Sequence, residues 1–430
     1  MRTRSLPVGG IRAAWRQIDA TVRPAGRVFY GWWIAGAASG VQMLGSLLWM
    51  QSYGVWFVVL QDEFDWSKAI VSGAFVMTQI QFGLLAPVQG WLVDRFGPRT
   101  IMRVGLVIFA AGFMLFSRVE TILAFYLTFA LIALGSNLAG FPTVMVSIVN
   151  WFNRHRAKAI AVGQLGHPLG GIAVPVIVFA LQAFGWRETA LVAGVLVLLL
   201  GHPLAQLMRH RPAPHEFVDG IAESTHHSLR DTSRQGFSIR QAMRTRAFWL
   251  ISIGHACSLL IVSAVMVHLV PHLIEGLGYS LTLAGGVVAF MTACHIGGQL
   301  LGGYFGDRLN KRLICAGCLV AHAVGLLLIA YAANVAMVIA FVLLYGTAMG
   351  IRGPLAVALR ADYFGPKAFG TILGVSMSIA MIGMSTGPLV AAFTADAFGS
   401  YRMGFTILAA GATVGAVCFL AAKRPTEPPD

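Results

Sequence analysis

The sequence predicts an all-α membrane protein with twelve transmembrane helices arranged as two similar six-helix halves, and three observations support this fold class. Hydrophobic residues make up 57% of the chain and charged residues only 11%, whereas charged residues make up about 25% of a soluble globular protein. Long charge-free runs recur along the whole chain. A polar turn in the first half also has a close copy in the second half.

The charge-free runs define the predicted spans in order, because roughly 20 apolar residues cross the hydrocarbon core of a bilayer as a helix. The runs are 28–61, 69–93, 104–117, 121–153, 159–186, 189–208, 247–274, 276–306, 313–351, 368–395 and 403–422. A helix that begins near Thr100 can extend the short third run and direct Arg103 to the membrane surface. Asn334 divides the run from 313 to 351, which is too long for one helix, so the total is twelve spans.

These spans predict five segments along the chain. They are a basic cytoplasmic N-terminal segment at 1–27, a first six-helix half at 28–208, a cytoplasmic linker at 209–246, a second six-helix half at 247–422 and a cytoplasmic tail at 423–430. The N-terminal segment contains six arginines and no apolar core run, which argues against a cleavable signal peptide. We expect it to lie along the membrane surface or to form a disordered tail.

Lysine and arginine residues are distributed unevenly between the two ends of the predicted spans. Lys68, Arg118, Arg187 and Arg402 lie at one end and Arg352 lies inside a span, whereas the remaining lysines and arginines lie at the end that carries both termini. Positively charged loops stay in the cytoplasm, so we expect both termini to be cytoplasmic. The same distribution explains the net charge of +14 without a nucleic-acid partner.

The stretch GWLVDRFGPRT, which starts at Gly90, is repeated as GYFGDRLNKRL from Gly303. Glycine and proline can end one helix in such a turn, and arginines keep the turn at the cytoplasmic surface. The two acids need another explanation. Asp94 and Asp307 each lie just inside a helix end, where they can accept hydrogen bonds from an arginine or from the N-terminus of a neighbouring helix while the halves are closed at the cytoplasmic surface.

These two turns resemble the signature turns that follow the second and eighth spans of the major facilitator superfamily. The segments YGWW, WFNRHRAKAIAVGQLG and GPLAVALRADYFG also resemble bacterial monocarboxylate and oxalate–formate carriers of that superfamily. The resemblance implies a multi-pass transporter of the bacterial inner membrane. It also implies that the turns form a latch for the outward-facing state, with the residues Asp94, Arg95, Gly97, Arg99, Asp307, Arg308 and Arg312. Asn310 replaces the usual glycine of the second turn, and asparagine tolerates a left-handed conformation.

Arg352 is the strongest candidate for substrate binding, because it lies inside the tenth span with no acid nearby in the sequence. An arginine at such a depth costs at least about 2.5–3.5 kcal/mol. It should therefore face a hydrated cavity or bind an anion. The alternative is that Arg352 reaches toward the cytoplasm or pairs with a structural acid.

His295 and Gln299 are the second candidates, since they lie one helical turn apart in the eighth span. In the carboxylate carriers that this chain resembles, an arginine often occupies the position of Gln299. This departure moves the positive charge to Arg352 and His295, or it means that the substrate is not a simple carboxylate. A single histidine in a span can also simply donate a hydrogen bond to a carbonyl group.

Polar residues of the first half complete the predicted site. His167 lies in the fifth span within GQLGHPLGG, where helix packing is the main interpretation and substrate binding the alternative. Asn137 and Tyr53 can line the first half of a cavity or tie helices together.

These residues predict a secondary transporter that moves a small organic anion, in particular a monocarboxylate, by alternating access between the two halves. No Asp or Glu lies deep inside a predicted span. A coupled proton would therefore use a histidine or travel with the substrate, and anion exchange would need no proton carrier. The expected partners are the anion, possible co-transported protons and membrane lipid. We expect the protein to function as a monomer.

Two other functions remain open from the sequence. An exporter of amphiphilic drugs or metabolites would use an aromatic and methionine-lined cavity, and a receptor would keep the fold without transport. The sequence contains no phosphate-binding glycine loop and no GxSxG motif, which argues against an enzyme. The loop histidines match no closed metal site, so we expect neither a metal nor a cofactor.

Overall fold

The computed structural model describes residues 28–212 and 236–426, and within these ranges all regular secondary structure is helical. The predictions for the N-terminal segment at 1–27, for most of the linker and for the last four residues of the tail lie outside the described residues.

Twelve long helical stretches, named α1 to α12 here, follow each other in the described chain, and several are divided by kinks. Those of the first half are α1 (Tyr30–Gly45, Ser46–Met50 and Tyr53–Phe64), α2 (Lys68–Phe96), α3 (Pro98–Phe116), α4 (Ile122–Ala139 and Phe141–Trp151), α5 (Arg156–Gln164, Gly166–Ile172 and Val174–Phe184) and α6 (Trp186–Leu196, Val197–Gly201 and His202–Leu207). Those of the second half are α7 (Arg246–Pro271 and His272–Gly276), α8 (Leu281–Gly306), α9 (Lys311–Ala330), α10 (Val335–Phe364), α11 (Phe369–Phe398) and α12 (Tyr401–Ala421). A short helix at Ile239–Met243 precedes α7.

Ten of these stretches, α3 to α12, are long and apolar enough to cross a membrane. The predicted positions of the first two spans are helical as well, but α1 is interrupted at residues 51–52. The chain is therefore an all-helical, multi-pass membrane protein. The total of twelve spans and the cytoplasmic position of both termini stay predictions.

Two pairs of corresponding helices, α2 with α8 and α4 with α10, begin with the same kind of cap. The side chains of Ser67 and Ser280 accept hydrogen bonds from backbone N–H groups in the first turns of α2 and α8. Thr121 and Asn334 do the same for α4 and α10. Such a cap contributes about 0.5–2 kcal/mol to helix stability. The repeat therefore extends from the sequence to the local chemistry that starts the helices.

The two halves pack against each other most closely at the end of the bundle that carries the turns at 94–99 and 307–312, called the motif end below. A Cβ atom on Gly90 of α2 would lie 2.1 Å from the carbonyl oxygen of Gly370 in α11, and one on Gly374 would lie 2.1 Å from the carbonyl oxygen of Ala86. Small residues let helices approach this closely in membranes. Larger residues at these positions would separate the halves.

Candidate functional site

A cavity of about 350 Å³ lies between the two halves. Its polar lining residues are Gln42, Ser46, Tyr53, Thr78, Gln79, Ser136, Asn137, Gln164, His167, His255, His295 and Gln299. Its largest apolar lining residues are Trp49, Phe82, Phe109, Phe141, Met377, Met381 and Met384. The described residues that line this cavity include three histidines but no Asp, Glu, Lys or Arg. The cavity is thus mostly apolar, with a few hydrogen-bonding groups, as small-molecule sites usually are.

The structure brings five of the six predicted binding residues together around this cavity. Tyr53, Asn137 and His167 line it from the first half, and His295 and Gln299 line it from the second half. The Tyr53 hydroxyl donates a 2.7 Å hydrogen bond to the Val71 carbonyl oxygen, so this side chain also ties α1 to α2. Polar groups that are far apart in the sequence therefore line one cavity.

His167 and His295 line the cavity from opposite halves. Gln299 lies one turn after His295 on α8, and its side-chain Oε1 is buried without a hydrogen-bond partner in the described part of the chain. A buried amide oxygen without a partner is costly. Gln299 is therefore able to accept a hydrogen bond from a bound molecule or from a rearranged side chain.

Arg352, the sixth predicted residue, does not line the cavity. Its side chain is only 4% exposed, and it lies on α10, a helix that packs against α8 and α9. The Nε and Nη1 atoms of Arg352 have no hydrogen-bond partner among the described residues. In this conformation Arg352 is buried behind the cavity wall instead of on it, and its role in substrate binding stays a prediction. The alternative ion pair with a structural acid is not found in the described residues either.

Arg360 is a second buried arginine that the sequence analysis missed. It is 1% exposed, and its Nε donates to the Ser376 hydroxyl at 2.9 Å while Nη1 donates to the Ala356 carbonyl oxygen at 2.7 Å. Its Nη2 lies 2.8 Å from Nδ1 of His255. Because His255 lines the cavity, the guanidinium is connected to the cavity through an imidazole ring. Arg360 lies close to the end of α10, so the sequence suggested a position at the membrane surface.

The predicted latch acid Asp94 binds the N-terminus of a helix in the opposite half. Its Oδ1 accepts a 2.9 Å hydrogen bond from the Gly370 N–H. Its Oδ2 accepts 2.7 Å hydrogen bonds from both the N–H and the hydroxyl of Thr371. Since α11 begins at Phe369, the carboxylate lies at the positive end of that helix.

Asp307 makes the corresponding contact in the other direction. Its carboxylate accepts backbone hydrogen bonds from Ala157 at 2.8 Å and Lys158 at 3.3 Å, in the first turn of α5. Burial raises the pKa of Asp307 above its ordinary value, although these two N–H groups act in the opposite direction. Each repeated acid thus caps a helix of the other half.

Other predicted latch residues make contacts within their own half. Arg95 lies over the Trp91 ring, 5.6 Å from its centroid, and Arg99 donates to the Gln206 carbonyl oxygen. Arg308 lies 4.0 Å from the centroid of Tyr304. Gly97 adopts a φ of 82°, which glycine tolerates best. Arg312 lies in the first turn of α9, where its backbone N–H donates to the Asn310 side chain.

Asp362 adds a contact that the sequence analysis missed. Its carboxylate binds Arg156 of the first half at 2.6 Å and Lys311 of the second half at 2.7 Å. This pair of interactions lies at the motif end. Charged groups that are far apart in the sequence therefore join the halves beside the two capping acids.

Comparisons with known proteins agree with this architecture. The Major Facilitator Superfamily model matches residues 37–312 and 251–430. An MFS-type transporter of Gibberella moniliformis is 26% identical over 78% of this chain and 78% of its own. Monocarboxylate transporter 13 of Bos taurus is 25% identical over 88% of each chain. The solved structure of the transporter FucP in the outward conformation, at 16% identity, covers 91% of this chain and 99% of its own with a TM-score of 0.70.

Similar proteins come from bacteria, fungi and mammals, so the bacterial inner membrane stays a prediction for this chain. The family match covers more than half of the residues, and the helical fold and the cavity between two repeated halves agree with it. The chain therefore belongs to the Major Facilitator Superfamily, whose members are membrane transporters rather than enzymes.

Proposed function

We propose that this protein is a secondary transporter that carries a small organic anion, in particular a monocarboxylate, through the central cavity. One observation carries the proposal. The cavity contains three histidines and no acidic residue among its described lining. Two buried arginines of the second half lie behind it, and neither has a carboxylate partner within residues 28–212 and 236–426. An arginine keeps its proton in proteins, so both charges persist. They give the cavity a positive potential that favours an anion.

The contacts at the motif end support alternating access as the mechanism. Asp94 and Asp307 each hold a helix N-terminus of the opposite half, and we propose that these contacts keep the cytoplasmic side closed. The predicted latch would then stabilise an outward-facing state. Rocking of one half against the other would break both contacts together and open the cavity to the cytoplasm. A bound anion would assist this step only if it binds one state more tightly than the other.

We propose proton symport or anion exchange as the mode of coupling. No acidic residue of the described lining can serve as a proton carrier. The histidine pair of His167 and His295 spans both halves, so it is the candidate for a proton that crosses with the substrate. Anion exchange would leave these histidines neutral throughout the cycle.

An exporter of amphiphilic compounds is the second candidate, and a different observation favours it. Aromatic and methionine side chains, including Trp49, Phe82, Met381 and Met384, form much of the cavity wall. Such a wall can bind a range of apolar molecules. For this exporter the two arginines would have only a structural role, and the preferred ligands would be hydrophobic cations.

Counterflow in proteoliposomes separates these functions. Vesicles loaded with unlabelled lactate or benzoate should accumulate the corresponding labelled acid, and tetraphenylphosphonium should not compete. Accumulation of labelled tetraphenylphosphonium without exchange of either acid would contradict the anion proposal and support the exporter. Binding of an acid without exchange of label would indicate a receptor. Protein-free vesicles serve as the control, because protonated acids also cross lipid without a carrier.

A further inference from the structure

The buried network around Arg360 joins three helices of the second half directly behind the cavity. The guanidinium contacts Ser376 of α11 and His255 of α7 from its position on α10. The Ser376 hydroxyl also lies 2.8 Å from the Ser252 hydroxyl. The described residues provide no carboxylate to this network. A fixed positive charge is therefore connected to the cavity by one side chain only, the imidazole of His255.

Arg360 determines the protonation of His255 by hydrogen-bond chemistry alone. A guanidinium has donors and no acceptor, so Nδ1 of His255 must accept the 2.8 Å hydrogen bond from Nη2. A neutral imidazole whose Nδ1 is an acceptor carries its proton on Nε2. His255 is thus held as a neutral hydrogen-bond donor.

The Nε2–H group of His255 is available to a ligand. The described part of the chain supplies no hydrogen-bond partner for this atom, and the ring lines the cavity. The guanidinium of Arg360 occupies the Nδ1 side of the ring, so Nε2 is the ring nitrogen that remains for a ligand. A hydrogen bond from a cation to Nδ1 also polarises the ring, which strengthens the donor on the opposite side.

We propose that His255 binds the anionic group of the substrate through Nε2–H and that Arg360 is the positioning residue that fixes this donor. The inference rests on the proposed anion transport and names the side chain that recognises the charge. Arg360 does not touch the anion. Its charge acts through the ring, so the site attracts a carboxylate without exposing a cation to the cavity.

Two substitutions of His255 test the roles of Nδ1 and Nε2 separately. His255→Asn places an amide oxygen near the position of Nδ1, where it can still accept from Arg360, but it leaves nothing at the position of Nε2. His255→Gln extends farther and can restore a donor to the cavity. Ser263→Ala on the same helix is the matched control, because Ser263 is buried, donates only to the Leu260 carbonyl oxygen and does not line the cavity.

The readout is the ratio of the dissociation constants for benzoate and benzamide, and for lactate and lactamide, with the purified full-length protein in nanodiscs. Loss of one hydrogen bond to a charged group should weaken acid binding by about tenfold to hundredfold. His255→Asn should therefore bind the acids more weakly and the amides almost unchanged, His255→Gln should recover part of the loss, and Ser263→Ala should match the wild type. Monodisperse elution and an unchanged melting temperature check that each variant is folded.

Nitrogen-15 NMR of His255 tests the positioning role of Arg360 separately. The wild type should show a protonated Nε2 and an unprotonated Nδ1 from pH 6 to pH 8, and Arg360→Gln should lose this fixed tautomer. A folded His255→Asn variant that still prefers each acid over its amide as the wild type does would overturn the inference while leaving anion transport intact. The opposite tautomer in the wild type would also overturn it. If the wild type bound neither acid, the proposed function itself would fail.

Discussion

The motif end and the cavity differ in how closely the two halves repeat each other. At the motif end, Asp94 of the first half accepts hydrogen bonds from the first turn of α11, and Asp307 of the second half accepts them from the first turn of α5. Around the cavity the halves are unlike. The first half contributes His167 and neutral polar groups, whereas the second half contributes two histidines and holds two buried arginines behind them.

The repeated contacts at the motif end and the one-sided charges around the cavity suit different functions. A contact that is repeated with the halves exchanged opens and closes as one unit, which suits a switch between two states. A charge that lies on one side only suits a ligand with one charged end and one apolar end. A symmetric cavity would bind such a ligand equally well in two orientations.

The largest expected effect comes from Asp94→Asn. Asp94 accepts three hydrogen bonds at a helix N-terminus, and each bond to a charged group contributes about 1.5–3 kcal/mol. The amide keeps one oxygen acceptor but turns an NH2 group toward backbone donors. We expect counterflow to fall by about thirtyfold or more, with faster amide hydrogen exchange at Gly370 and Thr371. Normal counterflow and unchanged amide hydrogen exchange in a folded variant would show that Asp94 does not hold the motif end closed.

Arg352→Met tests the asymmetric side of the comparison. Replacement of a buried charge by an apolar side chain of similar length should leave folding intact and lower anion counterflow by about tenfold. The Michaelis constant for the acid should rise, because the positive potential of the cavity falls. Uptake of the acid at the wild-type rate would show that the charge of Arg352 does not contribute to anion binding. Arg360 would then be the one buried arginine of this pair that could contribute.

The sequence was sufficient to predict the positions of the helices, the repeated turns and five of the twelve polar residues that line the cavity. It was not sufficient for Arg352, Arg360 or Asp362. A sequence gives the depth of a residue along a helix, since each residue adds about 1.5 Å. The rotation of that helix depends on how its neighbours pack, so the sequence did not show that Arg352 lies behind the cavity wall instead of on it. Asp362 contacts Arg156 only when the two halves are packed together.

Asp307→Asn should have a smaller effect than the same change at Asp94, because Asp307 accepts two hydrogen bonds and one of them is 3.3 Å long. We expect counterflow to fall by about fivefold to tenfold. Because the two contacts open together in the proposed mechanism, exchange should become faster at Ala157, Lys158, Gly370 and Thr371 alike, but less so than in Asp94→Asn. Faster exchange at Ala157 and Lys158 alone would show that the two contacts open separately.

The same variant provides a pH test. Burial raises the pKa of Asp307 while the motif end is closed, and we expect an ordinary value once the carboxyl is exposed. The closed state therefore binds the proton more tightly, and a decrease in pH through the raised pKa should favour closure. Exchange at Ala157, corrected for its intrinsic pH dependence, should slow in the wild type as the pH falls from neutral toward the ordinary pKa of an aspartate. Asp307→Asn should show a smaller change, and an identical change would exclude Asp307 as its source.

Asp362→Asn should have the smallest effect, because its carboxylate is still 32% exposed and such ion pairs contribute about 0–1 kcal/mol. The corresponding residue of the first half is Asn150, whose side chain donates to the His210 carbonyl oxygen at the start of the linker instead of joining the other half. Asp362→Asn therefore makes the two halves more alike.

Counterflow of the Asp362→Asn variant should fall by less than about fivefold, and the difference from the wild type should vanish in high salt, since salt screens an exposed pair. A loss of counterflow as large as that of Asp94→Asn, or a loss that high salt does not change, would mean that the closed state depends on an asymmetric contact. The division between a symmetric switch and an asymmetric binding site would then be wrong.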